Sequence, residues 1–146
     1  MADRMGFDGF LYYNTSGSGG GGSWIELKGV EDVSLGMENA EADITTRDMR
    51  GYEAVRHGLR RWTVEVEIVW DPTIASFQAI RDAYLNKTVL GLRVLDGPVT
   101  TTGSQGPMAD FVVLQFNRNE GQQNVMTVSV VMKLTRSTTA PSWFTA

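Results

Sequence analysis

The sequence predicts an α+β fold dominated by antiparallel β-sheet, and two patterns carry this prediction. The segment Trp62–Trp70 (WTVEVEIVW) alternates between apolar and polar side chains over nine residues. A period of two is typical of a strand with one buried face and one polar face. The spacing of a helix occurs clearly only in Pro72–Leu85. Strands on both sides of a single helix favour an α+β arrangement.

Composition limits the possible functions. The chain has 146 residues, enough for one domain with a substantial core. The lack of cysteine excludes disulfides, thiolate metal sites and cysteine nucleophiles. The net charge of −4 argues against a dedicated nucleic-acid-binding protein. The apolar runs are too short to span a membrane, and the N-terminus lacks a signal-peptide pattern, so we expect cytoplasmic synthesis.

The first 46 residues predict short extended segments. Residues 1–23 hold an aromatic strand candidate, Phe7–Asn14, followed by a glycine-rich loop that lacks the lysine of a phosphate-binding loop. Extended segments with interrupted alternation follow at Trp24–Leu27, Val30–Leu35 and Met37–Thr46. Gly29 and Gly36 are predicted to be bulges or turns.

Residues 47–61 (RDMRGYEAVRHGLRR) show neither strand nor helix periodicity, and two glycines interrupt them. We therefore predict a long loop. Loops of this length are uncommon within compact domains and are usually functional or ordered by a partner.

The one predicted helix covers residues 72–85. Asp71 is a suitable N-cap, and proline suits the first helical position. Its apolar stripe consists of Ile74, Phe77, Ile80, Ala83 and Tyr84. A strand is predicted at Thr88–Leu95, then a hairpin from Met108–Asn117 and Asn124–Arg136. The last segment, 137–146, contains Trp143 and Phe144, so we expect it to dock rather than to form a polar tail.

Charge is segregated in the first half of the chain. Glu31–Asp43 contains five acidic residues and no basic one, whereas Arg47–Arg61 contains five arginines against two acids. One interpretation is a set of surface ion pairs within the chain, worth roughly 0–1 kcal/mol each. The other is that the basic segment meets an acidic patch on another copy of the chain.

No candidate catalytic or metal site has the expected spacing. His57 is the one histidine, and we expect it to be exposed or at an interface rather than catalytic. Glu38, Glu41 and Asp43 lack the pattern of a calcium loop. Glu65 and Glu67, two residues apart on one strand, indicate a wet surface or the wall of a polar channel rather than an acid–base pair. We predict no enzyme activity, no cofactor and no metal.

Three stretches resemble the major tail tube proteins of long-tailed bacteriophages. These are WIELKGVEDVSLGMENAEADITTR at 24–47, RRWTVEVEIVWDPTIASFQAIRDAY at 60–84 and the block MADFVVLQFNRNEGQQNVMTVSVVMKLTRSTTAPSWFTA at 108–146. The resemblance implies a single domain, an antiparallel β-sandwich or partial barrel with one flanking helix. It also implies hexameric rings that stack into a tube through which viral DNA passes without specific binding.

The resemblance implies roles for particular residues and partners. The predicted subunit or ring interface comprises Arg47, Arg50, Tyr52, Arg56, His57, Arg60, Arg61, Trp143 and Phe144. The candidates for an acidic lumen are Glu38, Glu41, Asp43, Glu65 and Glu67. The implied partners are other copies of the chain, a tape measure protein and tail-end proteins, with no membrane. The implied location is the virion tail, after assembly in the host cytoplasm.

Two alternatives stay open at this point. One is the tube protein of a contractile tail or a secretion-type injection machine. The other is a monomeric β-sandwich that binds a ligand, for example a carbohydrate, on a platform of Tyr12, Tyr13 and Trp24.

Overall fold

The computed structural model describes residues 9–19, 23–123, 125–137 and 139–146, which contain eight strands and one α-helix. The elements are β1 (Phe10–Asn14), β2 (Ile25–Glu26), β3 (Val30–Asp43), β4 (Val55–Val69), α1 (Ala75–Leu85), β5 (Leu90–Leu95), β6 (Gln105–Asn119), β7 (Thr127–Leu134) and β8 (Ser142–Thr145). The strands form one antiparallel sheet in the order β2-β1-β5-β6-β7-β4-β3, and β8 pairs with β6 beside this path. The predicted α+β class, with a mainly antiparallel sheet, is confirmed.

The core forms where the alternating faces of the central strands meet the helix. Val64, Val66 and Ile68 of β4 are almost fully buried, as the period of two predicted. The neighbouring β7 contributes Val128, Val130 and Met132 to the same core. Phe77, Ile80 and Ala83 of α1 cover this face, so the opposite face of the sheet is left without the helix. Trp62 and Trp70 pack at the margin of the core.

The helix begins three residues later than predicted, and Asp71 is not its N-cap. Asp71 instead accepts hydrogen bonds from the backbone N–H and the hydroxyl of Thr73, at 3.0 and 2.6 Å. These bonds lower the pKa of the Asp71 carboxyl and hold a turn that precedes the helix. Ile74 takes the N-cap position in an extended conformation, without a side-chain cap.

The predicted loop at 47–61 is wrong over its second half. Residues 55–61 belong to β4, which pairs with β3 along a hairpin whose strands are 14 and 15 residues long. The two predicted segments around Gly36 are one strand, and Gly36 lies opposite Thr63 without a turn. Gly29 lies at a bend immediately before β3, with φ of +78°.

The two ends of the described chain are held by the sheet. β1 pairs with β5 and β2, whereas the predicted strand residues Phe7 and Asp8 lie outside the described residues. β8 pairs with the first residues of β6, so this part of the C-terminal segment contacts its own chain. In the part of the chain that the structure describes, no helix is long and apolar enough to cross a membrane.

Candidate assembly site

The register of β3 and β4 divides the predicted lumen residues between two faces of the sheet. Glu38 lies opposite Arg61, and Glu65 lies opposite Ser34. Glu38, Arg61 and Glu65 line one shallow depression together with Lys133 of β7, on the face that the helix leaves open. Glu67 follows Glu65 at the strand period of two and so shares this face.

Asp32 joins the same face although it was not among the lumen candidates. It lies directly opposite Glu67, so two carboxylates face each other across neighbouring strands. Like charges in that position repel, and nothing in the fold of one copy requires them there. The alternation of β3 could have indicated Asp32, because it lies two residues before Ser34 on the polar side.

Glu41 and Asp43 lie on the other face. The Asn39 amide contacts the His57 ring at 3.2 Å between Nδ2 and Nδ1, and Glu41 lies opposite His57. Because Asn39 and Glu41 alternate with Glu38 along an unbroken stretch of β3, their side chains point away from it. The five acidic candidates therefore do not form a single surface.

The tip of the hairpin, residues 44–54, is closed by hydrogen bonds at its base. The Ile44 N–H donates to the Ala54 carbonyl, and the Thr45 hydroxyl oxygen accepts from the Ala54 N–H at 3.0 Å. Hydrogen bonding by the Thr45 side chain and N–H lowers the pKa of Asp43. Beyond this base, Arg50 adopts the left-handed conformation with φ of 54° after one turn of 3-10 helix. The tip therefore has a defined turn conformation, closed by hydrogen bonds at its base.

Large apolar side chains are exposed along the outer half of the hairpin. Tyr52 is 76% exposed and Leu59 is 83% exposed. The others are Met37, Ile44, Met49 and Val55. Several large apolar side chains exposed on one hairpin of a soluble protein indicate a docking site. We call this set, without Met37, the hairpin patch. Of the hairpin patch, only Tyr52 was among the predicted interface residues. Residues 47–61 lack periodicity, so the sequence gave no reason to select the other apolar residues.

The basic residues predicted for the interface lie on the same hairpin as the hairpin patch. Arg47, Arg50, Arg56, His57, Arg60 and Arg61 are all exposed. The basic and acidic segments run side by side in β4 and β3, so opposite charges already lie close within one chain. Among the described residues, however, no ion pair within 4 Å joins the two segments. Both interpretations of the charge segregation therefore remain predictions.

A charge exchange across the hairpin tests the interpretation within one chain. Arg61→Glu places two carboxylates opposite each other, which we expect to lower the free energy of unfolding by about 0.2–1 kcal/mol. The double variant Glu38→Arg, Arg61→Glu should recover this loss, as measured by urea denaturation at low salt. If the single and double variants are equally stable, the pairing of residues 38 and 61 contributes nothing to stability. The interpretation as ion pairs within one chain is then wrong.

Strand β3 presents a long edge. It is the last strand of the sheet, and in the described part of the chain it pairs only with β4. The strand at the other end of the order, β2, has two residues. A 14-residue unpaired edge is a template for another strand, and natural proteins normally cover or shorten such edges. This edge is therefore a second candidate contact surface.

The C-terminal aromatic residues are partly used within the chain. Phe144 and Trp24 lie on the Arg93 guanidinium, each with its ring centroid 4.1 Å from Cζ. Burial lowers the pKa of Arg93. The Trp143 indole N–H donates to Gln105 at 2.9 Å, yet the side chain is 55% exposed. Phe144 thus holds the C-terminal strand in place, and Trp143 keeps a free surface.

The stacking platform proposed for a ligand-binding module does not exist. Tyr12 and Tyr13 are 8% and 2% exposed, so they belong to the core. The Tyr12 hydroxyl accepts a hydrogen bond from the Val99 N–H, and Trp24 covers Arg93. Among the described residues there is also no group of three or more histidine or carboxylate side chains able to hold a metal ion.

Two solved structures with the same fold are of tails. The chain is similar to a protein in the tail of an empty GTA particle, refined with C6 helical symmetry, with TM-score 0.77, 16% identity and 99% and 100% of the two chains covered. It is also similar to the SPP1 tail tube protein, with TM-score 0.74, 14% identity and 99% and 80% covered. The chain therefore has the tail tube fold.

A more distant similarity is to a protein of the anti-feeding prophage baseplate, solved with six-fold symmetry. Its TM-score is 0.60 at 4% identity, with 99% and 97% of the two chains covered. No protein-family model matches the chain, and no curated protein sequence does.

Proposed function

We propose that this protein is the structural subunit of a phage-type tail tube. The observation that carries the proposal is the similarity along the whole chain to tail tube proteins, together with two uncovered surfaces, the hairpin patch and the β3 edge. Copies would form hexameric rings that stack into a tube in the virion tail, after assembly in the host cytoplasm. Such a function requires no catalytic residue, metal or cofactor.

The contact surfaces follow from this assembly. The edge of β3 would pair with a neighbouring copy and continue the sheet around the ring, which removes the exposed edge. The hairpin patch, with its arginines and with Trp143, would bury its apolar area on an adjacent subunit. Phe144 would contribute indirectly, because it holds the strand that carries Trp143.

The lumen would be lined by the sheet face that the helix leaves open. Four carboxylates on this face outnumber its two cations, Arg61 and Lys133, and would give the wall a negative potential that repels DNA phosphates and lets DNA pass without being held. The four are Asp32, Glu38, Glu65 and Glu67. Asp32 and Glu67 lie opposite each other, and like charges in that position lower stability, so transport explains this pair better than folding does. A tape measure protein and tail-end proteins would be the other partners.

Electron microscopy of the purified protein tests the proposal. We expect rings or tubes with a central hole, promoted by raising the protein concentration. A protein that stays monodisperse and monomeric at high concentration would contradict it.

The alternative assembly is the tube of a contractile tail or injection machine. The similarity to the baseplate protein supports it, but that similarity is weaker than the similarity to the two tail structures. A sheath gene beside the gene for this chain would favour the contractile system.

A further inference from the structure

A buried carboxylate lies where the two ends of the described chain meet. Asp110 is in the middle of β6 and is 4% exposed. One of its carboxylate oxygens accepts a hydrogen bond from the Ser18 backbone N–H, and the other accepts one from the Ser137 hydroxyl. Ser18 belongs to the glycine-rich loop after β1, and Ser137 belongs to the segment that leads to β8.

The loop is fitted closely to the sheet at this point. Gly91 lies opposite Asp110, and a methyl group on Gly91 would stand 2.6 Å from the Ser18 nitrogen. Gly17 has φ of +87°, which favours glycine, and a side chain there would meet the Asp110 carboxylate at 3.3 Å. Asn14 starts the turn by accepting the Ser16 N–H at 2.9 Å. The first residues of the glycine-rich loop are therefore part of the fold.

The C-terminal segment is attached to the same residue. The Thr135 N–H donates to the Asp110 carbonyl at 3.2 Å, and the Thr139 N–H donates to the Ser137 hydroxyl oxygen at 3.2 Å. Gly19 of the loop also lies against Thr139. A cavity lies at this junction between the loop, β6 and the C-terminal segment. The described residues that line it include hydroxyls and glycines but no lysine or arginine. Hydrogen bonds from both segments therefore satisfy the Asp110 carboxylate.

We propose that Asp110 is a latch that couples the glycine-rich loop to the C-terminal segment. When one segment opens, water reaches the otherwise buried Asp110 carboxylate and competes with the hydrogen bond from the other segment. Opening on either side therefore promotes opening on the other, and this coupling is reciprocal. The latch concerns the folded subunit and does not depend on the proposed tube function.

Hydrogen exchange of the full chain, measured by mass spectrometry, tests the latch from both sides. Ser137→Ala removes the C-terminal donor to Asp110 and, with it, the acceptor of the Thr139 N–H, so the change at the loop is the diagnostic one. We expect exchange to become about 10-fold faster or more at residues 135–146, as a charge-assisted hydrogen bond is lost, and also faster at residues 15–19. Thr145→Ala is the matched control, because it removes an exposed hydroxyl from the same segment without touching Asp110.

Gly91→Ala perturbs the latch from the loop side. Its methyl group displaces Ser18, so we expect faster exchange at 15–19 and, through Asp110, at 135–146. If each substitution changes exchange only in the segment that it touches, the two segments open independently and the latch does not exist. Asp110→Ala should loosen both segments at once, because alanine has no side-chain acceptor for either hydrogen bond.

Discussion

Replacing Tyr52 and Leu59 with serine is expected to abolish assembly while leaving the monomer folded. Both side chains are more than three-quarters exposed in the single chain, so their removal costs the isolated fold little. Burial of such a side chain against a neighbour contributes about 1.5–3 kcal/mol. Each substitution should therefore raise the critical concentration for assembly about 10- to 100-fold.

Sedimentation of assembled material against protein concentration measures this effect, and circular dichroism confirms the fold of the variant. Leu85→Ser is the matched control, because Leu85 is 64% exposed at the end of the helix, away from the hairpin. An unchanged critical concentration in the double variant would show that the hairpin patch is not a contact surface. An equal loss in the Leu85 variant would show that the effect is not specific to the hairpin.

The sequence predicted those parts of the fold in which one face of an element is buried and the other is not. β4 between Trp62 and Val69 alternates because Val64, Val66 and Ile68 enter the core while Glu65 and Glu67 do not. The same strand was missed between Val55 and Arg61. There both faces are exposed, so burial imposes no period on the side chains.

A bulge also disrupts the sequence pattern of this half of the strand. The pairing steps from Glu41 opposite His57 to Asn39 opposite Arg60, so β4 carries one extra residue at Gly58–Leu59. The extra residue shifts the alternation of side chains, and a glycine at this position is typical of the end of a strand. A methyl group on Gly58 would meet the Ala40 carbonyl oxygen at 3.0 Å, so this glycine allows close approach of the two strands.

The sequence predicted the charge of the hairpin but not which of its apolar side chains are exposed. The basic character of the hairpin follows directly from its arginines, whereas the exposure of Leu59 requires knowledge of which strand faces have no neighbour. Alternation alone separates Glu38 from Glu41 and Asp43 once β3 is recognised as one strand. That Glu38 shares a face with Glu65 depends on the register, which no local pattern specifies. Asp110 offered one overlooked signal, because an acidic residue between Ala109 and Phe111 in a strongly apolar run must find buried partners.

One substitution made at two positions separates the energetics of folding from those of assembly. Leu92 is fully buried in β5, opposite Tyr13 and Ala109, whereas Leu59 is 83% exposed. Leu92→Ala is expected to lower the free energy of unfolding by about 2–5 kcal/mol, through lost burial and the cavity that remains. Leu59→Ala should change it by no more than about 0.5 kcal/mol.

In assembly the order should reverse. At a temperature where both variants are folded, Leu92→Ala should assemble at the same critical concentration as the unmodified chain, since Leu92 reaches no surface. Leu59→Ala should require a higher concentration, because its lost contacts lie between copies. Urea denaturation and sedimentation, run on the same two preparations, measure both effects. A large loss of stability in the Leu59 variant would mean that the outer hairpin packs within its own chain, and the surface proposed for assembly would then be part of the core.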